Sequence, residues 1–81
     1  MIIDGNKWID FELQDDTGKA QWWLVMAKSP RAHLGDIEWY SDWRQYVFQP
    51  EPNTEYHNGC LDTISTFLTR LNKERRISPE R

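Results

Sequence analysis

Cys60, Leu61, Ile64, Phe67, Leu68 and Leu71 recur at i, i+1, i+4, i+7, i+8 and i+11. This spacing lays one apolar stripe along a helix over roughly residues 59–74. Asp62, Thr63, Ser65, Thr66, Thr69 and Arg70 form its polar face. Asn58 suits the N-cap. Asp62 near the start, with Arg70, Lys73, Arg75 and Arg76 near the end, suits the helix dipole. A helix apolar on one face must bury it against another element. The rest of the chain therefore has to supply a second layer.

The second layer reads as a sheet. In WIDFEL (residues 8–13), Ile9, Phe11 and Leu13 alternate with Trp8, Asp10 and Glu12, the pattern of a half-buried strand. QDDTGKA then supplies turn residues, and QWWLVMA (21–27) returns as a hairpin partner. That strand is apolar on both faces, with Trp22, Leu24 and Met26 on one and Trp23, Val25 and Ala27 on the other, so it belongs in the middle of a sheet. Ser29-Pro30 marks KSPRAH (28–33) as a loop.

LGDIEWY (34–40) and WRQYVFQ (43–49) form a further hairpin around Ser41 and Asp42. A loop of two or four residues puts Ile37, Trp39, Arg44, Tyr46 and Phe48 on one face. Trp39 then faces Arg44, and Ile37 faces Tyr46. Asp36, Glu38, Tyr40, Trp43, Gln45 and Val47 take the other face. Pro50 and Pro52 end the strand. The expected fold is α+β: an antiparallel meander of three to four strands with one C-terminal amphipathic helix packed on one face. Residues 1–81 read as a single domain, with 1–19 an extra N-terminal strand and turn and 75–81 a frayed basic tail.

Size and composition exclude several classes. A chain of 81 residues forms a thin core. It contains no run of about 18 apolar residues for a membrane span. The single Cys rules out a disulfide framework and a multi-cysteine zinc site. No basic-then-apolar leader opens the sequence, and a reducing cytoplasm is the expected compartment. Charge is uneven, at −4 over residues 1–16, +3 over 17–35, −5 over 36–62 and +3 over 70–81.

Catalytic constellations are missing from the pattern. Cys60 lies on the apolar stripe and reads as a small core residue. His33 and His57 have no second ligand at a spacing such as H-x₃-H, so no metal and no cofactor is expected. Glu51, between Pro50 and Pro52, and Glu55, three residues after Pro52, lie in a loop and read as solvated. Phosphate-binding glycine motifs are absent. The expectation is a protein without enzymatic activity.

Eleven aromatics, five of them Trp, are many for such a core. Trp39, Tyr46, Phe48, Phe11 and Phe67 fill it, with one of Trp22 and Trp23. Tyr40, Trp43, Trp8 and the other of that pair are left on the outer face. Trp, Tyr and Arg dominate interface energetics. Trp22, Glu38, Tyr40, Asp42, Trp43 and Arg44 are therefore the candidate partner-binding set. Arg44 could equally stack on Trp39. The alternative is a nucleic-acid-binding module that stacks bases on Tyr40 and Trp43 and contacts phosphate through Arg70, Lys73, Arg75 and Arg76. The acidic centre argues against it. So does Asp62, which would repel phosphate at the start of the helix. A homodimer through a sheet edge or the aromatic face is a third partner class.

Residues 34–71 also carry the pattern LGxIxWYxxWRxYxFxP followed by CLxxIxxFL. The matching positions are Leu34, Gly35, Ile37, Trp39, Tyr40, Trp43, Arg44, Tyr46, Phe48 and Pro50, then Cys60, Leu61, Ile64, Phe67 and Leu68. This pattern resembles short, mostly uncharacterised proteins encoded in phages and prophages. The resemblance implies an intracellular phage or mobile-element accessory protein. Such proteins are often inhibitors of host machinery, including anti-CRISPR and other anti-defence proteins. It therefore implies a host protein or complex as partner.

Overall fold

The computed structural model describes residues 1–76. In chain order the elements are β1 (Ile2–Asp4), β2 (Ile9–Asp16), β3 (Gln21–Lys28), β4 (Arg31–Tyr40), β5 (Gln45–Pro50) and α1 (Asn58–Arg76). The α+β class and the single C-terminal helix are as expected. The sheet has five strands in the order β1-β2-β3-β4-β5, one more than the meander read from the sequence. All neighbours are antiparallel. The additional strand is β1, too short for an alternation to register. It pairs Ile3 with Phe11, so the N-terminal segment belongs to the same sheet. Most of the expected basic tail lies outside the described residues, while Arg75 and Arg76 continue the helix.

The core forms between α1 and one face of the sheet. Ile9, Phe11, Trp23, Val25, Ile37 and Tyr46 meet Cys60, Ile64, Phe67 and Leu71, and all are buried. Phe67 stacks on Phe11 with ring centroids 4.1 Å apart and meets Trp23 edge-on at 5.0 Å. Trp39 and Phe48 are partly buried at its margin. Of the apolar stripe, Leu61 is exposed, because its position is one step around the helix from Cys60.

Several local expectations are revised. The loop at 28–33 contracts to Ser29 and Pro30, joined by a cis peptide bond, and β4 starts at Arg31. The β4–β5 turn spans residues 41–44, so Trp39 pairs with Tyr46 and Ile37 with Phe48. This shift of two residues preserves the faces, because side chains alternate with period two. Arg44 and Trp43 leave the strand for the turn. Arg44 adopts φ 55° there, and its N–H reaches the Tyr40 carbonyl at 2.9 Å.

The helix is capped by His57 rather than Asn58. Its carbonyl accepts from the Leu61 N–H, and its Nδ1 accepts from the Gly59 N–H at 3.0 Å. Asp62 lies beyond the first turn. Asn6 pins the β1–β2 turn to this end of the helix. Its Oδ1 accepts from the N–H groups of Trp8 and Ile9, and its Nδ2 donates to Thr63 Oγ1 at 2.8 Å.

At the other end, Asn72 reaches the outer edge of β5. Its Oδ1 accepts from the Tyr46 N–H at 2.6 Å and its Nδ2 donates to the Tyr46 carbonyl at 3.4 Å. The side-chain amide thereby stands in for one residue of a further strand. An open strand edge invites pairing with another chain. Here the helix closes it near its start, at Tyr46, and Pro50 closes its end.

Candidate functional site

One face of the sheet is buried by α1. No other element covers the opposite face among the described residues. It carries Asp10, Glu12, Trp22, Leu24, Met26, Lys28, Arg31, His33, Asp36, Glu38 and Tyr40, together with residues of β1 and β5.

The half nearest β1 is charge-paired. Arg31 donates to both oxygens of Asp10, at 3.0 and 3.1 Å, and reaches Glu12 at 3.4 Å. The hydrogen bond to Asp10 is the main reason that Arg31 titrates even higher than usual. Asp10 is consequently buried, where its place in the alternation predicted a solvated carboxylate. Lys28 pairs with Asp4.

The other half holds most of the candidate partner-binding residues. Trp23 turns into the core and Trp22 out of it, at 2% and 39% exposure. The Trp22 Nε1–H donates to Asp36 Oδ2 at 2.6 Å. Trp22 and Glu38 line one shallow groove with Asp15, Thr17 and Trp39. Tyr40 and Trp43 meet edge-to-face at 5.1 Å, and the Tyr40 hydroxyl donates to Asp42 Oδ2 at 3.3 Å. Trp43 is the most exposed aromatic of this set at 66%. The structure thus forms two adjacent groups, Trp22 with Glu38 and Tyr40 with Asp42 and Trp43, with Arg44 in the same turn.

Three expected roles change. The cation stacked on Trp39 is Arg75, 4.1 Å from the ring centroid, and not Arg44. Trp8 leaves the outer face. It packs edge-on against His57 at 4.4 Å, beside the start of the helix, with the Lys7 ammonium over its ring. The nucleic-acid set is divided as well. Tyr40 and Trp43 lie at the β4–β5 turn. Arg70 is bonded to Glu74 at 3.2 Å and faces Phe67, Arg75 lies on Trp39, and Lys73 borders a groove beside Gln45. Arg76 ends the helix.

Cys60 is buried in the core as read, with its Sγ 3.6 Å from His57 Nε2. Sequence reasoning missed the surroundings of His33. Val25 pairs with Gly35 but Met26 with His33, so Leu34 is an extra residue, a β-bulge. In a regular strand, residues three apart point to opposite faces. The bulge puts His33 and Asp36 on the same open face, with Nε2 2.8 Å from Asp36 Oδ1. His33 Nδ1 lies 3.9 Å from Glu51 Oε2. The only sequence signal was the H-x-x-D spacing across Gly35.

No family model matches the chain, and no solved structure matches it. A 52-residue stretch is 33% identical to an uncharacterised 9.3 kDa protein of Acholeplasma phage L2, covering 64% of this chain and 67% of that protein. With two thirds of the phage protein covered at this identity, the chain belongs to the same family as the uncharacterised 9.3 kDa protein of Acholeplasma phage L2.

Proposed function

We propose that this chain is a non-enzymatic accessory protein of phage or mobile-element type that binds a host protein through the open face of its sheet. Its finer role in this reading is inhibition of host machinery, with anti-defence activity, including anti-CRISPR activity, the leading form. The observation that carries the reading is the exposed aromatic corner of Trp22, Tyr40 and Trp43, rimmed by Glu38 and Asp42. Large aromatics on a rigid sheet lose little conformational entropy on binding, and they supply most of the energy of typical interfaces. Arg44 adds a cation beside them. The phage relative supports the source and is silent on the partner.

The nucleic-acid alternative has less support. Glu38 and Asp42 border the same aromatics, and two of the cations assigned to phosphate, Arg70 and Arg75, are engaged within the fold. A homodimer through the β5 edge is opposed by Asn72.

Affinity capture from host lysate tests the proposal. The wild-type chain should retain a stoichiometric protein partner. The double substitution Tyr40→Ala, Trp43→Ala should lose it, and Trp8→Ala, on the helix side, should keep it. Absence of a partner above background, or equal capture by the double variant, overturns the reading. Quenching of tryptophan fluorescence by single-stranded oligonucleotides, weakening steeply with salt, would favour the alternative.

A further inference from the structure

We propose that His33, Asp36 and Glu51 form a binding site for a divalent transition-metal ion, with zinc the best match. The inference is independent of the partner reading. One nitrogen of His33, one oxygen of Asp36 and one oxygen of Glu51 all lie within 4.8 Å of one another. Zinc bonds imidazole nitrogen and carboxylate oxygen at about 2.0–2.2 Å, so ligand atoms in a tetrahedral site stand about 3.3 Å apart. Binding therefore requires the exposed side chains of His33 and Glu51 to close on the ion around the half-buried Asp36.

Each ligand is positioned by its own local device. The bulge at Leu34 brings His33 to the face of Asp36. The second oxygen of Asp36 accepts from the Trp22 indole at 2.6 Å, which leaves Oδ1 directed toward His33. Hydrogen bonds to the outer oxygen of a ligating carboxylate orient it for the metal. The Glu51 backbone is tied on both sides. Its N–H donates to the Leu34 carbonyl at 2.8 Å, and its own carbonyl accepts from Thr54 Oγ1 at 2.8 Å. The backbone device that displaces Leu34 thus also anchors the third ligand. One nitrogen and two carboxylate oxygens suit zinc and similar borderline ions better than magnesium, which favours all-oxygen sites and retains its water. Three protein ligands on an open face leave a fourth position for water.

Calorimetric titration of the full chain with zinc chloride should show one site per chain, and magnesium chloride should show none at the same concentration. Asp36→Ala, His33→Ala and Glu51→Gln should each weaken zinc at least about tenfold, and Trp22→Phe should weaken it measurably. The chain has two histidines, so imidazole NMR signals identify the ligand directly. The His33 ring should shift with zinc while the His57 ring stays. Circular dichroism of Glu51→Gln, a nearly isosteric change, controls for folding. The proposal is overturned by absence of zinc binding or by equal binding in the His33 and Glu51 variants. Loss of binding on His57→Ala or Cys60→Ser, with His33→Ala unaffected, also overturns it.

Discussion

Replacing Asn72 tests how the helix and the sheet are joined. The amide accepts from one backbone group of Tyr46 and donates to another, in a partly buried position. Leucine has nearly the same size and shape. Asn72→Leu therefore keeps the edge covered while leaving both the N–H and the carbonyl of Tyr46 without partners. A buried polar group left unpaired costs about 1–3 kcal/mol. The longer of the two bonds contributes less, so the expected loss is about 2–3 kcal/mol. A chain of this length has a total stability of about 4–12 kcal/mol, so the change is a large share of it. At roughly 4–8 °C per kcal/mol, Tm falls by about 10–20 °C. Asn72→Ala opens space for water and should cost less, about 1–2 kcal/mol. Urea unfolding followed by tryptophan fluorescence measures both, provided the slope stays constant. If Asn72→Leu lies within about 0.5 kcal/mol of wild type, or is milder than Asn72→Ala, the amide is not acting as a strand surrogate.

Two further perturbations follow from the same packing. A Cβ on Gly35 would lie 2.6 Å from the Gln49 carbonyl oxygen and 2.7 Å from Phe48 Cε1, so Gly35→Ala must push β5 away. Urea titration should show a loss of about 3 kcal/mol, the upper end of ordinary overpacking; a neutral variant would contradict the register of β4 and β5. Burial raises the titration of the Tyr56 hydroxyl above its ordinary value, and that hydroxyl donates to the Leu34 carbonyl at 2.6 Å. The folded chain then holds this proton more tightly than the unfolded chain. Its contribution is complete below about pH 10 and is lost as pH rises toward the folded value. Tyr56→Phe should be less stable at neutral pH and should lose less between about pH 9 and 11 than wild type does. Parallel curves in that window would refute the assignment.

Much of the architecture was legible because burial has a period. The stripe from Cys60 to Leu71 located the helix, alternation in WIDFEL located a strand and its core face, and the apolar run QWWLVMA located a central strand. Even the β4–β5 hairpin kept its faces when its register moved by two residues, since parity survives an even shift. The same logic identified Tyr40 and Trp43 as surplus to the core. It could not choose between Trp22 and Trp23, because a strand apolar on both sides gives alternation nothing to compare.

What escaped the sequence broke that period or depended on distant partners. β1 has three residues, fewer than a pattern requires, and exists as a strand because β2 offers it an edge. His33, read as part of a loop, lies in β4, and the bulge at Leu34 turns it to the face of Asp36 with no local residue type to announce it. Arg75 rather than Arg44 covers Trp39, because the helix crosses the sheet at that point. Asn72, 26 residues from Tyr46, closes the edge of β5. The sequence by itself determined the class of fold, the two layers and the inward place of Phe11, Tyr46 and Phe67, since local periodicity encodes what is buried. Only the tertiary structure decided where charges and polar groups find their partners. Those pairings depend on distances between chain segments that no local pattern records.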